Sequence, residues 1–219
     1  GIPTSFYSRH KATVETMLDA FERREPAVRV VRLRPGLIFK SEAASEIRRL
    51  FAGPFLPGFL VQKRLIPVVP RVARLRFQAV HTRDVADAYR RALVRDVHGA
   101  FNIAAEPEIG VEELCDFFGA RAVPLPAGAL RGAASLTWKL RLQPTSPGWI
   151  DLALGVPMMD TSRAREQLGW EPTAGSLEAL DDLLGGLRNA EGAPTPPLEA
   201  TAGGPLRVRE LVTGVGQKQ

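Results

Sequence analysis

A chain of 219 residues is long enough for one or two domains. Its apolar share of 45% suits a folded core, and its single cysteine, Cys115, excludes an intrachain disulfide. The net charge of +5 raises the question of nucleic acid, but the arginines crowded into residues 71–95 lack the interleaved aromatics of a base-stacking platform. They read as a solvated basic surface, and no nucleic-acid partner is expected. No apolar run approaches bilayer length and the first residues lack a signal-peptide core, so the expectation is a cytoplasmic protein without a membrane partner.

In chain order, residues 8–24 predict a helix. Ala12, Met17, Leu18 and Phe21 form an apolar stripe at helical spacing, charges fill the other face, and Pro26 closes it. Residues 28–33 are β-branched and apolar enough for a buried parallel strand, which Arg34-Pro35-Gly36 ends. A second helix is expected over 42–52, followed by a Pro/Gly-rich loop at 53–59. Residues 65–69 and 75–81 are short strand candidates. A helix over 84–95 takes Asp84 or Thr82 as its cap. Residues 100–104 read as a second buried strand and 111–118 as a short helix. Residues 161–170 hold a capped helix stopped by Gly169, with Trp170 as a packing anchor. A last helix spans 176–188, and the Pro/Gly/Ala-rich composition beyond it reads as a disordered tail. This alternation predicts an α/β class with parallel strands. Two central strands alone would leave an open sheet edge, a physical reason to expect further strands from sequence outside these residues.

Tyr7 and Lys11 lie four residues apart at a helix start, so they share a face. A cation beside a phenol favours its ionised form, and a helix N-terminus acts in the same direction. Such a pair can exchange a proton with a substrate hydroxyl. The four-residue pattern is common, and it gains weight from three motifs further along the chain. These are Arg34-Pro35-Gly36-Leu37-Ile38, then Val80-His81-Thr82-Arg83-Asp84-Val85-Ala86-Asp87-Ala88, then Leu168-Gly169-Trp170-Glu171-Pro172. In this order the motifs resemble the extended short-chain dehydrogenase/reductase family, the NAD-dependent epimerase/dehydratase group. The resemblance covers residues 4–188.

The resemblance implies a partial Rossmann-like parallel sheet with a small C-terminal substrate-binding lobe. The Rossmann-like part would span 1–104 with a substrate-lobe insertion at about 40–75, the lobe mainly 105–188, and the tail 189–219. It implies NAD or NADP as cofactor, a small-molecule substrate such as a sugar nucleotide, and a possible homodimer. Tyr7 would be the catalytic acid/base. Lys11 would support its ionised form and bond the nicotinamide ribose. Pro35, Gly36, Leu37 and Ile38 would pack on the nicotinamide and bond its carboxamide through the main chain. The family's glycine-rich pyrophosphate turn, its cofactor-selecting residue and the Ser/Thr that assists the tyrosine are not found in this sequence, so the chain is expected to be a portion of a longer enzyme and inactive by itself. The family's phosphate-binding arginine position holds Phe77, and Arg74 and Arg76 are the neighbouring substrate-binding candidates. The loop 53–59 and the apolar stretch 122–130 suggest a partly hydrophobic pocket.

His81 reads as a structural hydrogen-bonding residue, His10 as solvent-facing and Cys115 as inert packing. Asp84/Asp87, Glu112/Glu113 and Asp181/Asp182 read as caps and first-turn charges. The three histidines and one cysteine show no metal-ligand spacing.

Overall fold

The computed structural model describes residues 2–47, 62, 65–140, 146–195 and 198–199. In chain order the elements are α1 (Phe6–Arg24), β1 (Val31–Pro35), β2 (Leu37–Phe39), a 3-10 turn (Ser41–Ala43), α2 (Ala44–Ile47), β3 (Val68–Arg71), β4 (Ala79–His81), α3 (Thr82–Val94), β5 (Gly99–Ile103), α4 (Val111–Phe118), β6 (Arg121–Pro124), α5 (Ala127–Lys139), α6 (Gly148–Gly155), α7 (Ser162–Leu168) and α8 (Ser176–Asn189). The strands pair in parallel, β1 with β5, β2 with β4 and β3 with β6. The class is α/β, with short parallel ladders of a partial Rossmann-like fold.

The β1–β5 ladder is a middle layer. Strand alternation sends Val31 and Leu33 to one face, against a core of Val80, Val85, Ala88, Ala92, Phe101, Ile103, Ala164, Leu168 and Trp170. It sends Arg32 and Arg34 to the other face, where α1 lies. Arg32 donates to Glu15 at 3.0 Å, Asp19 at 2.7 Å and Glu22 at 2.7 Å, and Arg34 Nε donates to Glu15 at 3.0 Å. Arg32 is largely shielded, and three carboxylates offset what its desolvation costs. So α1 faces the sheet with its acidic row, not with its apolar stripe, and no residue of α1 is buried.

β1 ends at Pro35, as Arg34-Pro35-Gly36 predicts, but the chain does not leave the sheet there. The backbone continues into β2 and changes partner at Gly36. Gly36 N–H donates to Ile103 at 2.9 Å, and the next amide, Leu37, donates to Gln78 at 2.9 Å. A Cβ on Gly36 would lie 2.6 Å from the Gln78 carbonyl oxygen, so the fork requires glycine for close approach. The Pro35 N–H that is missing would have pointed away from β5, so no ladder bond is lost.

α3 is capped by His81, whose Nδ1 accepts from Arg83 N–H at 3.2 Å, and not by Thr82 or Asp84. The His81 Nε2 lies 3.4 Å from Asp182 on α8, so the residue is structural, as expected. Asp84 instead reaches across the fold. Its carboxylate accepts from Thr173 N–H at 2.9 Å, Thr173 hydroxyl at 2.6 Å and Ala174 N–H at 3.2 Å, and its carbonyl accepts from Trp170 Nε1 at 2.8 Å. Gly169 terminates α7 at φ 56°, and Trp170 is fully buried. Burying a side chain of that size stabilises the fold by roughly 3 kcal/mol. A second core joins Phe39, Ala44, Ala79 and Ile109 to Ala179, Leu180 and Leu183 of α8.

Three expectations shift. The strand expected at 65–69 forms at Val68–Arg71, because its partner is β6, an element the apolar stretch 122–130 did not suggest. The strand expected over 75–81 shortens to Ala79–His81, with Phe77 in an antiparallel bridge to Ile109. The helix expected over 42–52 is seen as the 3-10 turn and α2; its end, the loop 53–59 and the tail beyond 199 lie outside the described residues. Before that point the Ser45 hydroxyl donates to Leu198 at 3.0 Å, folding residue 198 back onto α2.

Candidate functional site

α1 begins behind a buried cap, Ser5, whose hydroxyl accepts from Ser8 N–H at 3.3 Å. The ion pairs fix the direction of the helix. Glu15 meets Arg34, while the later Asp19 and Glu22 meet Arg32, so α1 runs antiparallel to β1. At 1.5 Å per residue, Lys11 and Tyr7 lie about 6 and about 12 Å beyond Glu15 along the axis. Both therefore project toward the carboxyl end of β1, where Pro35–Ile38 lie and where open α/β sheets hold ligands.

The Lys11 ammonium sits 5.6 Å from the Tyr7 ring centroid. Tyr7 is 47% exposed. One face of its ring is stacked by Trp149, with centroids 5.2 Å apart and planes at 27°. α6 brings that tryptophan in. A Cβ on Gly148 would lie 2.6 Å from the Thr4 carbonyl oxygen, so only glycine lets α6 approach the start of α1 this closely. Asp151 holds α6 in place. It accepts from Arg131 at 2.8 and 3.2 Å, and that guanidinium, with the Thr4 hydroxyl adding to it, keeps its carboxyl below the usual range. Sequence motifs miss Trp149 because its partner is remote in the chain; the Pro147-Gly148 pair ahead of it was the available signal.

At the fork, the amides of Gly36 and Leu37 are already spent on Ile103 and Gln78. Ladder alternation turns the Ile38 N–H away from β4 and leaves it as the main-chain donor of this segment. Leu37 and Ile38 present exposed apolar side chains. Tyr7, Lys11 and the Pro35–Ile38 turn thus share one end of the sheet.

Arg74 and Arg76 precede β4 in the chain. Both are exposed; Arg74 occupies a turn at φ 66°. Arg76 lies 3.6 Å from Glu108, which lines a cavity of about 430 Å³ together with Gln78, Ala104, Glu106, Pro107, Met159, Asp160 and Thr161. The Gln78 amide clamps Met159 in both directions, donating at 3.0 Å and accepting at 2.7 Å. The carboxylates of this cavity have partners of their own. Glu106 pairs with Arg165 at 2.7 Å, and Asp160 is held below its ordinary value foremost by the Ser162 hydroxyl. Among the described residues, Arg71 also pairs with a carboxylate, Glu112, and Arg90 and Arg91 pair with Asp87. No group of three metal-ligating side chains occurs among the described residues, and no described helix is long and apolar enough to cross a membrane.

No family model matches the chain. An uncharacterized protein of Mycobacterium tuberculosis, Rv0501, is 28% identical over 186 residues, covering 82% of this chain and 45% of its own length. A second, Rv2047c, is 27% identical over 187 residues, covering 84% of this chain and 19% of its own. Among solved structures, UDP-N-acetylglucosamine 4-epimerase from Bacillus cereus superposes with a TM-score of 0.50 at 14% identity, over 83% of this chain and 56% of the enzyme. The UDP-glucuronic acid 4-epimerase of the same organism, in complex with UDP-glucuronic acid and NAD, gives 0.50 at 16% identity, over 86% and 54%. The chain has the fold of these epimerases and spans about half of their length, and less than half of the curated relatives it matches.

Proposed function

We propose that this chain carries the proton-handling part of an NAD(P)-dependent epimerase, dehydratase or reductase acting on a sugar nucleotide or small alcohol. The observation that carries the reading is the Lys11 ammonium beside the half-exposed Tyr7 phenol at the carboxyl end of β1. The Tyr7 Oη would move a proton to or from a substrate hydroxyl, and the Lys11 charge would favour the phenolate state of that exchange. Lys11 would also hold the nicotinamide ribose, with Leu37, Ile38 and the Ile38 amide beside the ring. The dinucleotide supplies hydride acceptance or donation when bound. These residues fit its nicotinamide end; its pyrophosphate needs a glycine-rich turn that residues 1–219 do not include, so the chain by itself is expected to be inactive. That the epimerase with the same fold holds UDP-glucuronic acid and NAD supports the substrate and cofactor class.

The test joins this chain to a glycine-rich dinucleotide-binding half. Tyr7→Phe should lower turnover by about 10²-fold or more while dinucleotide affinity changes little. Turnover equal to the unmodified protein would sink the assignment. A second reading, a non-catalytic dinucleotide sensor or partner-binding protein, is favoured by the Trp149 ring that covers one face of Tyr7. Saturable NAD(P) binding with no turnover of alcohols or nucleotide sugars would select it.

A further inference from the structure

Tyr7 sits in the first turn of a helix that buries none of its residues, so packing within α1 does little to direct its ring. Among the described residues no hydrogen bond holds the phenol. Its ring interactions are with the Lys11 ammonium, 5.6 Å from the centroid, and with the Trp149 indole, 5.2 Å between centroids. The two differ in kind. An ammonium on a flexible four-carbon stem is a point charge that can follow the ring as it turns. A flat indole stacked at 27° restricts the plane in which the phenol can lie.

The indole is itself anchored. Residues 2–5 fold back on the first turn of α1: Ser5 N–H donates to the Ile2 carbonyl at 3.1 Å, and Ile2 N–H donates to the Ser8 hydroxyl at 2.7 Å. Both ends of α6 rest on that turn. Gly148 and Gly155 lie two helical turns apart and so share a face. A Cβ on Gly148 would lie 2.6 Å from the Thr4 carbonyl oxygen, and one on Gly155 would lie 3.0 Å from Ile2 Cδ1. Arg131 of α5 pins Asp151 near the same face, at 2.8 and 3.2 Å. Trp149 follows Gly148 and therefore projects about 100° around α6 from this seam. The helix lies on the residues that precede Tyr7 and turns its indole onto the Tyr7 ring.

We infer that Trp149 is a positioning residue for Tyr7: its indole holds the phenol ring in the plane from which Oη reaches the substrate hydroxyl, and leaves the substrate the other face and the edge of that ring. The inference rests on the proposed role of Tyr7 as acid/base. Proton transfer requires hydrogen-bond reach between the two oxygens. An exposed side chain that nothing holds changes rotamer within picoseconds to nanoseconds. A misplacement of about 1 Å at a reacting group can cost about 10²-fold in rate. Tyr7 is 47% exposed, so the stack supplies the direction that burial does not. A ring that positions Tyr7 raises turnover, whereas a ring that merely covers it lowers turnover, and this difference is measurable.

Substitutions at Trp149 separate orientation from packing. Trp149→Phe keeps a flat ring, Trp149→Leu keeps apolar bulk without one, and Trp149→Ala keeps neither. Circular dichroism confirms that each is folded; if Trp149→Ala unfolds the chain, the comparison of Trp149→Leu with Trp149→Phe carries the test. In the full 219-residue chain with isotope-labelled tyrosine, the Tyr7 ring signals are identified by their loss in Tyr7→Phe. Trp149→Leu and Trp149→Ala should abolish the ring-current shift of those signals, Trp149→Phe should keep part of it, and the signals of Tyr89, the other tyrosine, should not move. In the protein joined to a glycine-rich half, Trp149→Leu and Trp149→Ala should lower kcat by about 10-fold or more, while Trp149→Phe stays within about 3-fold. Dinucleotide affinity should be unchanged, and the solvent isotope effect on kcat should rise as proton transfer becomes limiting. Trp149→Leu as active as Trp149→Phe would reduce the indole to packing and overturn the inference. Unmoved Tyr7 signals in Trp149→Leu, or turnover that rises when the indole is removed, would overturn it too. Unchanged kcat in Trp149→Leu beside an inactive Tyr7→Phe would overturn it and leave the proposed function standing. A fully active Tyr7→Phe would overturn the proposed function, and this inference with it.

Discussion

Gly36 is glycine because of contact and not because of its torsion angles. The Gln78 carbonyl occupies the space a Cβ would need, at 2.6 Å, and that carbonyl is also the acceptor for Leu37. Gly36→Ala must therefore part β2 from β4 or tilt β1 off β5. It should cost about 1–3 kcal/mol, read as a lowered urea midpoint by circular dichroism, as for other overpacked sites. An unchanged midpoint would mean that the fork has slack. Reading Arg34-Pro35-Gly36 as a strand end rests on proline and glycine being breakers. β1 does end at Pro35, but the chain runs straight on into β2 with a new partner, because the proline's missing donor falls on the edge β5 does not use and the glycine answers to a residue far away in sequence. Asp84 shows the same limit. A carboxylate three residues into a helix looks like first-turn charge, yet it organises the 170–174 loop.

At the scale of the element, the periodicity of 8–24 identified a helix and its two faces but not which face the sheet would take. The alternating arginines of Val30-Val31-Arg32-Leu33-Arg34 decide it, since they meet the acidic row of α1. The hydrogen bond from Arg34 holds the Glu15 carboxyl below its ordinary value of about 4.5, against a smaller opposing effect of burial, and the Arg34 and Arg32 charges add to it. A carboxyl depressed on folding adds stability above its unfolded value, and that stability is lost as pH falls through the folded value. Glu15→Gln should therefore lower the urea midpoint at pH 7 and flatten its decline below about pH 4.5. Parallel declines for both proteins would show that this ion pair does not dock α1. The same local logic could not find β6. Arg121–Pro124 is four residues long and mostly exposed, and only its pairing with β3 makes it a strand.

Across the whole molecule, the strand–helix alternation was enough to read an α/β class and the central pair near 28–33 and 100–104. It did not show that, among the described residues, six strands form three two-strand ladders, because partner choice is a long-range property that composition does not encode. Among the described residues, the β1 side of the β1–β5 ladder meets no backbone partner, while the β5 side is covered chiefly by Arg163, with Asn102 adding a bond to Asp160. Arg163 satisfies two outward carbonyls of β5 and stacks on Phe101. Arg163→Ala should cost about 1–2 kcal/mol, the low end for hydrogen bonds from a charged donor, because the guanidinium is partly solvated. It should also leave β5 as open as β1, so that concentration-dependent association appears in light scattering. Arg163→Lys keeps the charge but loses the planar fork that spans both carbonyls, and should fall between the two. A monodisperse Arg163→Ala protein of unchanged stability would show that the 157–163 segment covers this edge through its backbone. The asymmetry between the edges would then be a matter of chain path and not of one guanidinium.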